Sequence, residues 1–168
     1  MSESGSRFQA SRSFGSALVV VQFVALTILV FHVLPAIRYW PSALMVFGAL
    51  VLMGWALVSM GKVSFRFHPD PSEKGALQTG GAYRWVRHPM YTAAISASLA
   101  VVWRNPGLLV LVSVVVVVIV LFLKMRIEEV ALRGKFKDYE TYAERVPALV
   151  PFLPRWIRRL LSRAGLPS

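Results

Sequence analysis

Between Leu108 and Leu123 the chain carries no charged residue, and three further apolar stretches precede it, roughly Ala17 to Leu34, Ser42 to Met60 and Tyr91 to Trp103. A hydrocarbon core about 30 Å thick takes about 20 apolar residues of helix to cross. A segment inside it must also satisfy its own backbone N–H and C=O groups. These runs therefore predict membrane-spanning helices. Even the β-branched block Val114 to Val118 is expected to be helical, because lipid offers no hydrogen-bond partner to an isolated strand. The predicted class is all-α: a polytopic membrane protein with about four transmembrane helices, a short hairpin of helices three and four, and a cytoplasmic C-terminal helical segment.

The chain divides into an N-terminal tail over 1–16, two transmembrane helices within 17–60, and a region over 61–168 expected to carry the chemistry. The first run has no small-x-small cleavage site and ends at Leu34-Pro35, which predicts an uncleaved span rather than a secretory signal. Pro35 and Pro41 bracket a turn holding Arg38, Tyr39 and Trp40. Gly48 and Gly54 are candidates for close helix packing, although they are six residues apart and not four. Gly61 to Gly81 reads as an ordered loop. The third run is short, and starting it at Pro89 gives about 15 residues. Asn105-Pro106-Gly107 then forms a tight turn, and the fourth helix is expected to continue through Lys124 to Leu132 and to stop near Gly134.

Of the 19 Lys and Arg residues, 17 lie in the N-terminal tail, the central loop and the C-terminal region, against only Arg38 and Arg104 in the other two connectors. The positive-inside rule then puts both termini and the central loop in the cytoplasm, with the plasma (inner) membrane of a prokaryote as the expected location. Arg155 to Arg163 sorts basic and apolar residues onto different faces, as a helix lying on anionic lipid headgroups would. Basic segments on the headgroup side of the membrane account for most of the net charge of +11 without nucleic acid as a partner, and no protein partner is evident. The absence of cysteine excludes disulfides, a thiol nucleophile and a cysteine metal site. No two of His32, His68 and His88 share the i, i+4 spacing of a helical metal pair, which argues against a metal enzyme.

Two polar clusters flank the predicted hairpin on its cytoplasmic side: Arg87-His88-Pro89-x-Tyr91 before it and Glu128-Glu129 after it. Cations and backbone N–H groups at a helix start suit a carboxylate, and glutamates suit an ammonium, so together they can hold a zwitterion. Tyr83, Trp85 and Tyr91 add aromatic surface for an adenine ring or a sulfonium. Each residue also has a plain structural reading. Arg84, Arg87 and Trp85 suit interfacial anchoring, His88 suits helix capping, and Glu128 or Glu129 can pair with Lys124, Arg126 or Arg133 along the helix.

The ordered blocks Leu77-x-Thr79-x-Gly81-x-Tyr83-x-Trp85-x-Arg87-His88-Pro89-x-Tyr91, Asn105-Pro106, Glu128-Glu129 and Tyr139-x-x-Tyr142-x-x-Arg145-Val146-Pro147 resemble the integral-membrane isoprenylcysteine carboxyl methyltransferase family. Phospholipid N-methyltransferases share the Arg-His-Pro-x-Tyr and Glu-Glu signature, and the resemblance covers about residues 75 to 153. It implies S-adenosylmethionine as cofactor, with Tyr83, Arg87, His88, Pro89, Tyr91 and Tyr142 around it and Glu128 and Glu129 near its polar end. It also implies that Arg145 orients a substrate carboxylate, while Glu129 is available as a base should the acceptor be an amine. Tyr139 is implied to shape the same pocket. The chain departs from the family pattern at Ala93, where Gly is usual, and in the shortened Phe136-Lys137-Asp138-Tyr139.

The function expected is methylation of a lipophilic substrate reached from the bilayer, foremost carboxyl O-methylation, with phospholipid or other lipophilic amine N-methylation as the alternative. A nicotinamide-dependent membrane reductase would need more of a phosphate-binding set than Gly80-Gly81. A small cation transporter would need an acidic residue within a span, and every acid here lies in a loop or at an end. A soluble methyltransferase fold is excluded, since no glycine-rich strand-turn-helix unit occurs.

Overall fold

A computed structural model describes residues 3–60 and 77–151 and shows five α-helices, with no strand among those residues. They are α1 (Glu3–Ile37), α2 (Trp40–Met60), α3 (Pro89–Arg104), α4 (Leu108–Lys135) and α5 (Tyr139–Arg145), with a 3-10 turn over Gly81–Arg84 before α3. Three helices, α1, α2 and α4, are long and apolar enough to cross a membrane. With 16 residues, α3 spans about 24 Å at 1.5 Å per residue, less than the hydrocarbon thickness. The 28 residues of α4 span about 42 Å, so its charged end from Lys124 onward projects beyond an apolar core of about 30 Å.

Helix α1 departs from the predicted boundaries at both ends. Residues 3–16, read as a tail, continue the helix, and Pro35 lies inside its last turn instead of ending it. Proline has no N–H to donate to the Phe31 carbonyl four residues back and its ring crowds that carbonyl, so α1 loses one bond there and continues for only two residues more. Residues 61–76 of the predicted central loop and the basic segment 155–163 lie outside the described residues.

Helix α2 packs chiefly on α3, and α1 on α4. The buried residues of α2 are Ser42, Ala49 and Ala56, spaced by seven, and α3 buries Ala93 and Ala100 at the same spacing. Small side chains repeated at this interval let two backbones approach closely. Gly48 and Gly54 do not serve this purpose: a Cβ at either would meet nothing within 4 Å, so both face away from the bundle. The core joins Ala25 and Leu29 of α1 to Val101 of α3 and to Val110, Val117 and Leu121 of α4. Outward positions such as Phe23, Phe31, Phe47 and Val58 are exposed apolar residues, the arrangement expected of a lipid-facing surface.

Three polar contacts fix what the core leaves loose. Lys124 Nζ donates to Gln22 Oε1 at 2.8 Å, tying α4 to α1 near the end where the acidic pair lies. At the other end, Asn105 Nδ2 donates to the His32 carbonyl at 3.5 Å and holds the hairpin turn against α1. The 3-10 turn docks on the end of α2 through Ser59, whose hydroxyl accepts from the Ala82 N–H at 3.1 Å. Gly81 makes this contact possible. Its φ of +59° suits glycine, and a Cβ there would collide with the Ser59 side chain.

Candidate functional site

The hairpin brings the Arg-His-Pro turn and the Glu-Glu pair together. Pro89 occupies the first turn of α3, where its missing N–H removes no helical bond, so the chain before it runs extended and presents Arg87 and His88 toward α4. Arg87 Nη2 lies 3.2 Å from Glu129 Oε1, with the two side chains only 4% and 8% exposed. His88 Nε2 lies 3.3 Å from the same oxygen. Glu129 Oε2 faces Arg133 at 3.8 Å, one turn further along α4. Glu129 is thus a buried hub for three basic side chains.

Glu128 differs from its neighbour, since its side chain is 47% exposed. The Tyr91 hydroxyl donates to Glu128 Oε2 at 3.0 Å, and His88 Nδ1 lies 3.7 Å from that oxygen. The Tyr91 and His88 rings stack with centroids 5.3 Å apart and 5° between planes. The two glutamates, adjacent in sequence, therefore have different surroundings, one enclosed and one facing outward.

A short bent segment after α5 clamps the turn. The N–H groups of Arg87 and His88 donate to the carbonyls of Pro147 and Ala148 at 2.9 and 3.0 Å. Thr92 Oγ1 donates to the Leu149 carbonyl at 2.7 Å. The Tyr142 hydroxyl donates to the Tyr83 carbonyl at 2.6 Å, so α5 is joined to the 3-10 turn as well.

Tyr139 and Tyr142 meet edge to face, with ring centroids 6.0 Å apart. Tyr139 is fully buried, and its hydroxyl has no hydrogen-bond partner among the described residues. Burial first, and then the charge of Glu129, pushes the Tyr139 phenol up to about 12, against the opposing pull of Arg87 and Arg133. Tyr83 is raised by burial and then by Glu128. Tyr142 is raised by burial and then by Tyr139. These phenols stay neutral at physiological pH, each keeping an O–H able to donate.

Of the residues expected at the site, Arg87, His88, Tyr91, Glu128 and Glu129 are joined by direct contacts, and Pro89 supports them as the buried first residue of α3. Tyr83 and Tyr142 form the adjoining wall. Arg145 stands at the last turn of α5 with an exposed side chain. His88 occupies the N-cap position of α3 but makes no side-chain capping bond, since its ring turns to α4. The helical pairing of Glu129 with Arg133 coexists with the cross-hairpin pairs. Thr92 and Ser59 were not anticipated. Lone hydroxyls in apolar surroundings carry no pattern that distinguishes an anchoring contact from an ordinary back-bond.

The site combines an accessible carboxylate with neutral aromatic hydroxyls. Glu128, Tyr91 and Tyr83 form an anionic, aromatic surface suited to a cation, while Arg87, His88 and Glu129 hold it rigid from behind.

Residues 37–139 match the family model described as phospholipid methyltransferase. The cobalt-zinc-cadmium resistance protein CzcN of Cupriavidus metallidurans is 26% identical over 150 residues, which cover 87% of this chain and 67% of that protein. No solved structure matches the chain at a significant level.

Proposed function

Because the chain belongs to the phospholipid methyltransferase family, we propose that it uses S-adenosylmethionine to methylate a lipophilic acceptor, by carboxyl O-methylation of the isoprenylcysteine type. The observation that carries this reading is the half-exposed Glu128 carboxylate, set between Tyr91 and Tyr83 and braced by the buried Arg87–Glu129–His88 cluster. The donor set fits the cofactor: an anion and aromatic rings for its positive groups, and the unpartnered Tyr139 hydroxyl as a further donor beside the cluster. When bound, S-adenosylmethionine supplies an electrophilic methyl group.

The protein's own residues then bind, orient and exclude water. Glu128 and Tyr91 would hold the cationic side of the cofactor, with Tyr83 and Tyr142 alongside. Glu129 keeps Arg87 and His88 in place. An acceptor carboxylate is already an anion at neutral pH, so it needs no general base, and alignment supplies most of the advantage. Arg145, exposed at the end of α5, is suited to hold that carboxylate bidentately. The family description favours a second reading, an amine acceptor. There Glu128 is the better base, since both Glu129 oxygens already face basic partners. The proposed orientation puts the cluster and both termini in the cytoplasm of a prokaryotic cell, with the basic segment 155–163 on anionic headgroups.

Titration calorimetry on the detergent-purified protein tests the cofactor. Binding is expected, weakened about tenfold or more in H88A and E128A, and no binding by the wild type would end this reading. Incubation with methyl-labelled S-adenosylmethionine and native membrane extract then separates the acceptors. A label released by alkali marks an ester, and a stable one marks an amine. Arg145→Ala is expected to lower turnover while leaving cofactor affinity within about twofold, and full turnover would remove Arg145 from the mechanism.

A further inference from the structure

Lys124 has an acidic neighbour with which it forms no ion pair. It lies four residues before Glu128 on α4, the spacing at which helical side chains meet, yet its Nζ donates to Gln22 Oε1 of α1 at 2.8 Å. Glu128, 47% exposed, is approached instead by the Tyr91 hydroxyl and by His88 Nδ1, both at its Oε2. A cation within reach of this carboxylate is thus held to one side.

The packing explains the choice. Gln22 precedes Ala25 and Leu29 by three and seven residues, and Lys124 follows Leu121 and Val117 by three and seven, so both extend the apolar seam between α1 and α4. Gln22 is also the one polar residue between Ala17 and Leu26, and a polar group in such surroundings is costly unless it is bonded. The competing pair is weak: lysine before glutamate is the poorer polarity for a helical ion pair, and an exposed one contributes little. A hydrogen bond from a charged donor in a partly buried seam outweighs it. Were the ammonium beside Glu128, it would occupy the carboxylate and repel any second cation brought there.

We propose that Gln22 is a positioning residue: by holding the Lys124 ammonium on α1 it keeps Glu128 available to a cationic ligand. That this ligand is the methyl donor rests on the reading above; the separation of Lys124 from Glu128 does not. A residue of α1, outside every motif block, then sets the electrostatics of the site.

The test uses the full chain in detergent, with S-adenosylmethionine affinity read by calorimetry. Gln22→Met removes the acceptor at nearly constant length and should weaken binding about fivefold through the released ammonium. Lys124→Met alone should leave affinity within about twofold of wild type or tighten it, and the double variant should recover to within about twofold of wild type. Gln22→Glu, which still accepts from Lys124, should keep wild-type affinity. Unchanged binding in Q22M would overturn the proposal. So would a loss that persists in the double variant, since Gln22 would then only join two helices. If Q22M fails to fold, Gln22→Ala asks the same question without the added bulk. A second readout needs no cofactor: a water-soluble carbodiimide should join Lys124 to Glu128 as an amide, seen as loss of water from that peptide, in Q22M but not in the wild type. Equal crosslinking in both would overturn the separation of charges. A wild type that binds no cofactor, with crosslinking confined to Q22M, would remove the methyl-donor reading and leave the role of Gln22 standing.

Discussion

Glu128 and Glu129 share a side chain and a helix, yet they should answer mutation in opposite ways. Replacing Glu129 by Ala leaves the buried Arg87 guanidinium without its carboxylate, a loss of about 3–5 kcal/mol for breaking one partner of a buried pair. Thermal unfolding in detergent should show a large drop for E129A and a smaller one for E129Q, which keeps a hydrogen-bonding oxygen. E128A should change stability by no more than about 1 kcal/mol, since an exposed ion pair contributes little, and it should lose cofactor affinity instead. Tyr139 gives a second contrast. Its folded-state phenol sits near 12 against an ordinary 10, so its contribution to stability is present below about pH 10 and lost as pH rises through about 12. Tyr139→Phe should flatten that part of the pH–stability curve and stabilise at pH 7 by about 1–3 kcal/mol, the penalty of an unpaired buried hydroxyl. The order of the blocks made the acidic pair legible, but not the division of labour within it. Neighbours on a helix point about 100° apart, and which of them faces inward depends on how α4 is rotated against α3.

The apolar runs gave the helices their existence and approximate ends, because a membrane span is specified mainly by length and hydropathy. Where the reading missed, face or context decided. Gly48 and Gly54 were singled out by residue type, whereas close packing depends on which side of α2 touches α3, and that side carries Ser42, Ala49 and Ala56. Pro35 lies in the final turn of α1, where the bond it costs the Phe31 carbonyl leaves only two helical residues beyond it. The bent segment over Val146 to Leu149 carries no strand pattern, since two backbone bonds and one Thr92 contact suffice to seat it. The 3-10 turn offers an element-scale test. Gly81→Ala combines an unfavourable positive φ with a collision at Ser59, so it should unseat Gly81–Arg84 and weaken cofactor binding while the helical content, read by circular dichroism, stays near wild type.

At the scale of the whole molecule, the chain is all-helical among its described residues, with three helices able to cross a membrane and α3 shorter than they are. The lack of cysteine makes its orientation measurable, because a single introduced thiol is an unambiguous label. Cysteines placed at Gly107 and at Lys135, the two ends of the α4 region, should react with an impermeant maleimide from opposite sides of oriented vesicles. Labelling of both from one side would refute the spanning assignment of α4. The hairpin of α3 and α4 also works as a ruler. The Arg-His-Pro turn and the glutamates are joined covalently only through the distant Asn105 turn, so their alignment depends on the number of residues between them. One alanine inserted in the Val114 to Val118 run would turn Glu128 and Glu129 by about 100° and advance them about 1.5 Å, disrupting every cross-hairpin bond while altering no functional side chain. Four inserted residues would nearly restore the angle but leave the carboxylates about 6 Å too far along. The apolar interior of this protein can therefore change its letters freely, but not its count.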